Sequence, residues 1–274
     1  MTDIDDSLKF QFDALFSTPS VISDSSGFQL FQPDPKPNFI PTDFPPIPNN
    51  LVFGKKMERL FSHYISQSTR YSILAENLQL IENKQTIGEL DFLIKDNELQ
   101  QVIHLEIACK FYIYRPGLSP NKMGGWIGPN KKDKLIDKLA KLKERQFPLL
   151  NHPVAHRKLQ EFKISSDSIR QQLFLPGILF TPKNFNDDVG HVNPKAIQGF
   201  WLTKEQFHKD DFRNCQLAIP EKENWMVDPS HNSDWLPLEK IRKLVAEKHQ
   251  NQRSPMVWRK TSSDEFERFF VLWW

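Results

Sequence analysis

Carboxylates stand in the middle of two apolar runs of this 274-residue chain. Thr86–Ile94 reads TIGELDFLI and carries Glu89 and Asp91; Val102–Tyr112 reads VIHLEIACKFY and carries Glu106, with His104 and Lys110 beside it. Taking an unpaired carboxylate out of water costs several kcal/mol, so such residues are expected to be ion-paired, metal-bound or set in a cleft. Convergent carboxylates do two kinds of chemistry. They hold a hard divalent cation, and when crowded without one they retain a proton to higher pH than usual.

The elements that position these groups follow from periodicity. Both runs read as strands, joined by a polar turn at Lys95-Asp96-Asn97-Glu98. Alternation puts Glu89, Asp91 and Leu93 on one face of the first strand, and His104, Glu106, Ala108 and Lys110 on one face of the second. Ahead of them, Leu51–Gln67 has a helical stripe of Val52, Met57, Leu60, Phe61, Tyr64 and Ile65, with Glu58 at its border. A strand over Tyr71–Ile81 follows. The glycines and prolines of Arg115–Asn130 predict a loop. Asn130 is suited to cap a helix over Lys131–Gln146 that buries Leu135, Ile136, Leu139 and Leu142 and turns its lysines to solvent. A helix near Leu159 and a buried strand over Gln172–Phe180, interrupted at Pro176, come next.

Both ends of the chain differ in character. Ser7–Phe16 predicts a short helix, and Thr18–Asn50 is dense in proline, an extended arm whose Phe28, Leu30, Phe31, Phe39, Ile40 and Phe44 should pack on the body. Beyond Thr181, strands are expected over 196–203, 216–219, 256–260 and 266–274, with a helix over 235–248. This part is rich in tryptophan. The organisation expected is an N-terminal helix and arm (1–50), a core (51–180) and an elaboration of the same domain (181–274).

Composition excludes several classes. At 39% hydrophobic and 12% aromatic residues, the chain has enough apolar mass for a sizeable core. No apolar run approaches the ~20 residues of a membrane span. Cys109 and Cys215 are the only cysteines, too few for a disulfide framework or a zinc site, and with the acidic N-terminus they predict a cytoplasmic setting. The net charge of +2 divides into −5 over residues 1–50 and +7 over the rest. A moderately basic body is compatible with a phosphate-bearing partner.

The order helix, strand, strand, strand, helix, strand over residues 51–180, with Gly88-Glu89-Leu90-Asp91 on one strand and Glu106 and a lysine on the next, resembles the PD-(D/E)XK nuclease superfamily. Ala75–Gln79, Gly88–Leu93, His104–Tyr112 and Gly128–Leu135 resemble more closely a bacterial family within it, domain of unknown function 1853. The resemblance implies an α/β, restriction-endonuclease-like core. It assigns catalytic roles to Glu58, Asp91, Glu106 and Lys110, with Glu58, Asp91 and Glu106 as ligands of Mg²⁺ or Mn²⁺. One departure stands out: Ala108 occupies the expected lysine position, and Lys110 lies two residues further along.

What the resemblance implies is metal-dependent hydrolysis of nucleic acid, DNA in preference to RNA, with no membrane partner. The displaced lysine keeps a rival open, a catalytically silent module that binds nucleic acid or protein on the same scaffold. Other residues have plainer expectations. His104 is expected to be a packed core residue, Glu89 an outer acceptor, and Trp126 a loop anchor rather than a stacking platform for a base. The lysines of the Lys131 helix are expected to be a solvated face, with phosphate contact as the sharper alternative.

Overall fold

The computed structural model describes residues 6–34, 44, 47–48, 50–210, 212, 214–261 and 265–274. Phe39 and Ile40 of the proline-rich arm lie outside them. The helices are α1 (Asp6–Ser17), α2 (Phe53–Gln67), α3 (Leu135–Lys141), α4 (Pro153–Glu161), α5 (Lys204–Lys209) and α6 (Leu238–Gln250). The first strands are β1 (Tyr71–Glu82), β2 (Gln85–Asp96), β3 (Gln101–Ile107), β4 (Lys110–Tyr114), β5 (Trp126–Ile127) and β6 (Ile169–Phe174). Then come β7 (Gly177–Pro182), β8 (Ile197–Thr203), β9 (Gln216–Ala218), β10 (Met256–Lys260) and β11 (Phe266–Leu272). The class is mixed α/β with two sheets, and two compact units are interleaved along the chain.

One unit, Asp24–Cys109 with Asp137–Leu175, is built on a sheet of order β1-β2-β3-β6. The first three strands are antiparallel neighbours, and β6 joins β3 in parallel. Phe61 of α2 packs on Phe92 and Phe174, and Phe31 of the arm meets Phe61 and Tyr71. Leu80, Leu90 and Leu93 pack with Leu150, Val154 and Leu159 of the later helical segment. At Gly88, a side chain would collide with Leu149. The described part of the arm runs beside β6, where the Phe31 N–H donates to the Leu173 carbonyl and the Leu173 N–H to the Gln29 carbonyl.

The other unit, Met1–Ser23 with Lys110–Ile136 and Pro176–Trp274, holds a sheet of order β5-β4-β7-β8-β11-β10-β9. Its central strands β4, β7, β8 and β11 are parallel. Phe207, Phe212, Ile241, Val245 and Phe269 form a core against α5 and α6. Phe270, the next residue on β11, contacts Phe180 and Trp225, so strand alternation fills both faces. Gly177 pairs with Lys110, and a Cβ there would lie 2.0 Å from the Lys110 carbonyl oxygen.

Two sequence readings need correction. The run from Val102 to Tyr112 is two strands rather than one. β3 ends at Ile107, β4 begins at Lys110, and the two belong to different sheets. The interruption expected at Pro176 is the matching break, between β6 and β7. A proline has no N–H to give a ladder, and Pro176 instead offers its carbonyl to the Lys110 N–H. The Lys131 helix starts only at Leu135, because Lys131 takes a left-handed φ of +59° and Asn130 accepts a hydrogen bond from Ser254 instead of capping. Leu135 and Leu142 are fully buried, while Ile136 and Leu139 are only partly so.

Candidate active site

Asp91 and Glu106 lie on adjacent antiparallel strands at the end of their ladder. The β2–β3 pairing runs from Asp96–Gln101 to Phe92–Leu105 and stops one residue short of the two acids. There the Ile107 N–H is taken by Asp91 Oδ2 at 3.0 Å. Alternation also slips at this point. Glu89 and Phe92 line one cavity with Glu58 of α2, whereas Leu90 and Leu93 share one core with α4. A regular strand would put members of each pair on opposite faces, so Asp91 sits at a one-residue irregularity. In β1, Asn77, between the registered pairs Glu76–Phe92 and Leu78–Leu90, has a left-handed φ of +49°.

Glu106 is fully buried and held from two sides. His104, two residues earlier on the same face, places Nε2 3.1 Å from Oε1. The Gln171 amide nitrogen approaches His104 Nδ1 at 3.1 Å while donating to the Phe147 carbonyl. A donor at Nδ1 fixes the imidazole proton on Nε2, so a neutral His104 donates to Glu106. Gln146 donates to Glu106 Oε2 from the last residue of a π-helical turn, Leu142–Gln146, that continues α3. Its carbonyl oxygen accepts from Lys138 Nζ at 3.2 Å. Widened turns of this kind re-aim a side chain that a regular helix would direct elsewhere.

The electrostatics follow from the crowding. Asp91's carboxyl is pushed up to about 7, by burial first and then by Glu106. The Ile107 N–H and the field of Lys138 oppose this without cancelling it. Burial also raises Glu58, helped by Glu89 and Glu106 against its Lys55 partner. Both shifts agree with the expectation that clustered carboxylates hold protons.

The remaining predicted residues are placed as follows. Glu58 pairs with Lys55 at 2.7 Å, and Lys55 also reaches Asn77 at 2.7 Å and Glu89 at 3.3 Å. Lys110 opens β4 in the other unit, and its ammonium lies 2.8 Å from Asp133. Trp126 is fully buried and donates to the Val189 carbonyl, which makes it the anchor of its loop. His104 is a packed core histidine with both ring nitrogens engaged.

A model of the family described as domain of unknown function (DUF1853) matches residues 40–272. The chain belongs to the DUF1853 family. No curated protein and no solved structure matches it. In this DUF1853 chain, Gln146 and Lys138 are the site residues that sequence reading missed. Their separation of eight residues, about two helical turns, is the available signal; the sequence places Lys138 on a solvated basic face and gives Gln146 no role. No helix among the described residues is long and apolar enough to cross a membrane.

The donor set is suited to a hard cation in charge and only partly in number. Among the described residues no three His, Cys, Asp or Glu side chains are gathered as a ligand group. Mg²⁺ needs fewer, since it is commonly held by one or two carboxylates together with waters and substrate phosphates. Asp91 Oδ1 has no hydrogen-bond partner among the described residues, and the raised Asp91 carboxyl marks a place short of positive charge.

Proposed function

We propose that this DUF1853 chain is a metal-dependent nuclease that hydrolyses phosphodiester bonds in nucleic acid, with DNA the expected substrate. The observation that carries the reading is the Asp91–Glu106 pair: two carboxylates meet at the open end of a ladder, and Asp91 keeps its proton up to about pH 7. The order α2, β1, β2, β3, helices and a parallel β6 supports a restriction-endonuclease-like core and kinship with the PD-(D/E)XK superfamily.

Asp91 and Glu106 would hold Mg²⁺ or Mn²⁺, and Glu58 is the third carboxylate in electrostatic range of them. The ion, when bound, supplies charge to a phosphate oxygen and acidity to a coordinated water. The chain's own residues do the rest. Gln146 and His104 fix the orientation of Glu106, while the Ile107 N–H fixes that of Asp91. Lys138, whose field already acts on Asp91, is the cation of this unit assigned to offset negative charge developing at the phosphate.

A second reading, the catalytically silent binding module, has its own support. Both Glu106 oxygens already accept hydrogen bonds, and Lys110 is paired with Asp133. Labelled single-stranded and duplex DNA and RNA, offered to purified protein with Mg²⁺ or Mn²⁺ and then with chelator, separate the two. Cleavage that needs the ion and disappears in Asp91→Asn supports the nuclease. No cleavage of any substrate, together with no rise in melting temperature on adding Mg²⁺, leaves the silent module.

A further inference from the structure

A second chemistry is built into the unit that holds the seven-stranded sheet. A cavity of about 330 Å³ is bordered by Lys132, Lys222, Lys248 and Arg253, with Glu221 the only carboxylate among the described residues of its lining. That volume lies at the lower end of the range for small-ligand pockets. Four cations against one acid leave an excess of positive charge. Glu221 offsets one of them, pairing with Lys248 at 3.8 Å. Neither Lys132 nor Arg253 forms a salt bridge with any described residue.

The walls are half apolar. Buried Ser254 donates from Oγ to the Pro129 carbonyl at 2.8 Å and from its N–H to Asn130 Oδ1 at 2.9 Å, which ties two sides of the cavity together. Arg253 is set by its own N–H, which donates to the Lys248 carbonyl at 3.0 Å. Trp225 is clamped edge-on between Phe111 and Phe270, with ring centroids 5.1 and 5.0 Å away, and donates to the Pro220 carbonyl. Ile219, Pro255 and Met256 complete the apolar side. The Lys222 ammonium stands 5.8 Å from the Trp225 ring centroid. Burial, and then Lys110 and Lys132 against the opposing charge of Asp133, hold its pKa below the usual lysine range.

We propose that this cavity binds the phosphomonoester group of a nucleotide, the phosphate among Lys132, Lys222, Lys248 and Arg253 and the sugar or base against Ile219, Pro220 and the edge of Trp225. A dianion relieves the repulsion among the cations, and a guanidinium with ammonium groups is the donor set that phosphate oxygens prefer. The apolar wall gives a nucleoside portion something to bury, which bare phosphate lacks. The same group exists on a free mononucleotide and on the 5′ end of a nucleic-acid strand. The inference stands on this unit alone and does not need the acid pair to be catalytic.

Calorimetric titration of the full chain in chelator tests it, with dAMP, deoxyadenosine, inorganic phosphate, and single-stranded decamers bearing a 5′-phosphate or a 5′-hydroxyl. The expected result is that dAMP binds, while deoxyadenosine and inorganic phosphate bind at least roughly ten-fold more weakly. The double change Lys222→Gln with Arg253→Gln should weaken dAMP by a similar factor while melting where the wild type does. Lys132→Gln repeats the test at a single exposed position. A 5′-phosphorylated decamer that outbinds both its hydroxyl counterpart and dAMP identifies the strand end as source. Equal decamers beside tight dAMP identify the free nucleotide. Deoxyadenosine or inorganic phosphate matching dAMP, or undiminished dAMP binding in the double variant, overturns the proposal.

Discussion

Each unit holds one site whose local charge is unbalanced, and the two sites differ in sign. On the four-stranded sheet, Asp91 and Glu106 are crowded, and Lys138 only weakly offsets them, so a proton stays on Asp91. Around the cavity of the seven-stranded unit the excess is positive, and Lys222 is pressed toward losing a proton. Between these extremes stands the Lys110–Asp133 pair, an acid and a base matched one to one at 2.8 Å. The chain's net charge of +2 conceals all three situations. Matched pairs are what structure alone requires. A crowded pair of acids near the interior costs stability, and it persists where something else completes it.

The largest effects are expected if the crowded acids do chemistry. Asp91→Asn keeps size and an acceptor for the Ile107 N–H while removing charge; Glu106→Gln keeps size but sets an amide donor against one of the donors His104 and Gln146. Each should reduce Mg²⁺-dependent cleavage of labelled DNA by roughly a thousand-fold or more. Lys138→Gln should cost less, about ten- to a hundred-fold in kcat, with nucleic-acid affinity little changed. Turnover unaffected by Asp91→Asn would reduce the pair to a structural curiosity of the sheet.

A second test reads the same imbalance as stability. Asp91 has its folded pKa raised from 3.8 to about 7. Below pH 4 both folded and unfolded chains bind the proton. As pH rises toward 7 the unfolded chain releases it first, so stability is lost across that window. Asp91→Asn should remove this slope. Near pH 7 in chelator it should make the protein more stable by about 2 kcal/mol, a discount on the ~1.4 kcal/mol per pKa unit of full linkage because Asp91 is only partly buried. Urea unfolding at several pH values measures both effects. A variant that is less stable than wild type at pH 7 would show that Asp91 is a needed structural acceptor.

Much of this was legible because periodicity reports burial. The stripe of α2, the alternation of β1 to β3 and the break at Pro176 each correspond to an observed element. What stayed hidden depends on partners distant in sequence. Nothing in Val102–Tyr112 announces that the chain leaves one sheet at Ala108–Cys109, since the apolar character continues unbroken into β4. Lys110 therefore looked like a neighbour of Glu106 on one strand face. The one-residue slip at Asp91 was equally invisible, as it shows only in which helices Leu90, Phe92 and Leu93 meet. Gln146 was missed because a π-helical turn has no pattern of its own in sequence.

Gln146 offers a smaller test of how the acids are held. Gln146→Ala deprives a fully buried glutamate of one of its two side-chain donors. An unsatisfied buried acceptor costs about 1–2 kcal/mol, and His104 remains to hold the other oxygen. Thermal and urea unfolding should register that loss, and Gln146→Glu should be worse, since it adds a third carboxylate where two already repel.

The smallest effect is expected at the matched pair. Asp133 and Lys110 are 40% and 30% exposed, so water already solvates both and their attraction is screened. Asp133→Asn should therefore destabilise by less than ~1 kcal/mol, opposite in sign to Asp91→Asn and smaller in size. The Tyr112 hydroxyl, 3.4 Å from Asp133 Oδ2, keeps a partner in the variant. Lys110→Ala should behave similarly, with a stability loss that shrinks in high salt and turnover within about three-fold of wild type, as suits a lysine committed to a surface pair. Steady-state cleavage and melting at low and high salt measure both. A drop in kcat of about a hundred-fold at unchanged stability would instead mean that Lys110 leaves Asp133 for the scissile phosphate, and that the resemblance had placed the catalytic lysine correctly.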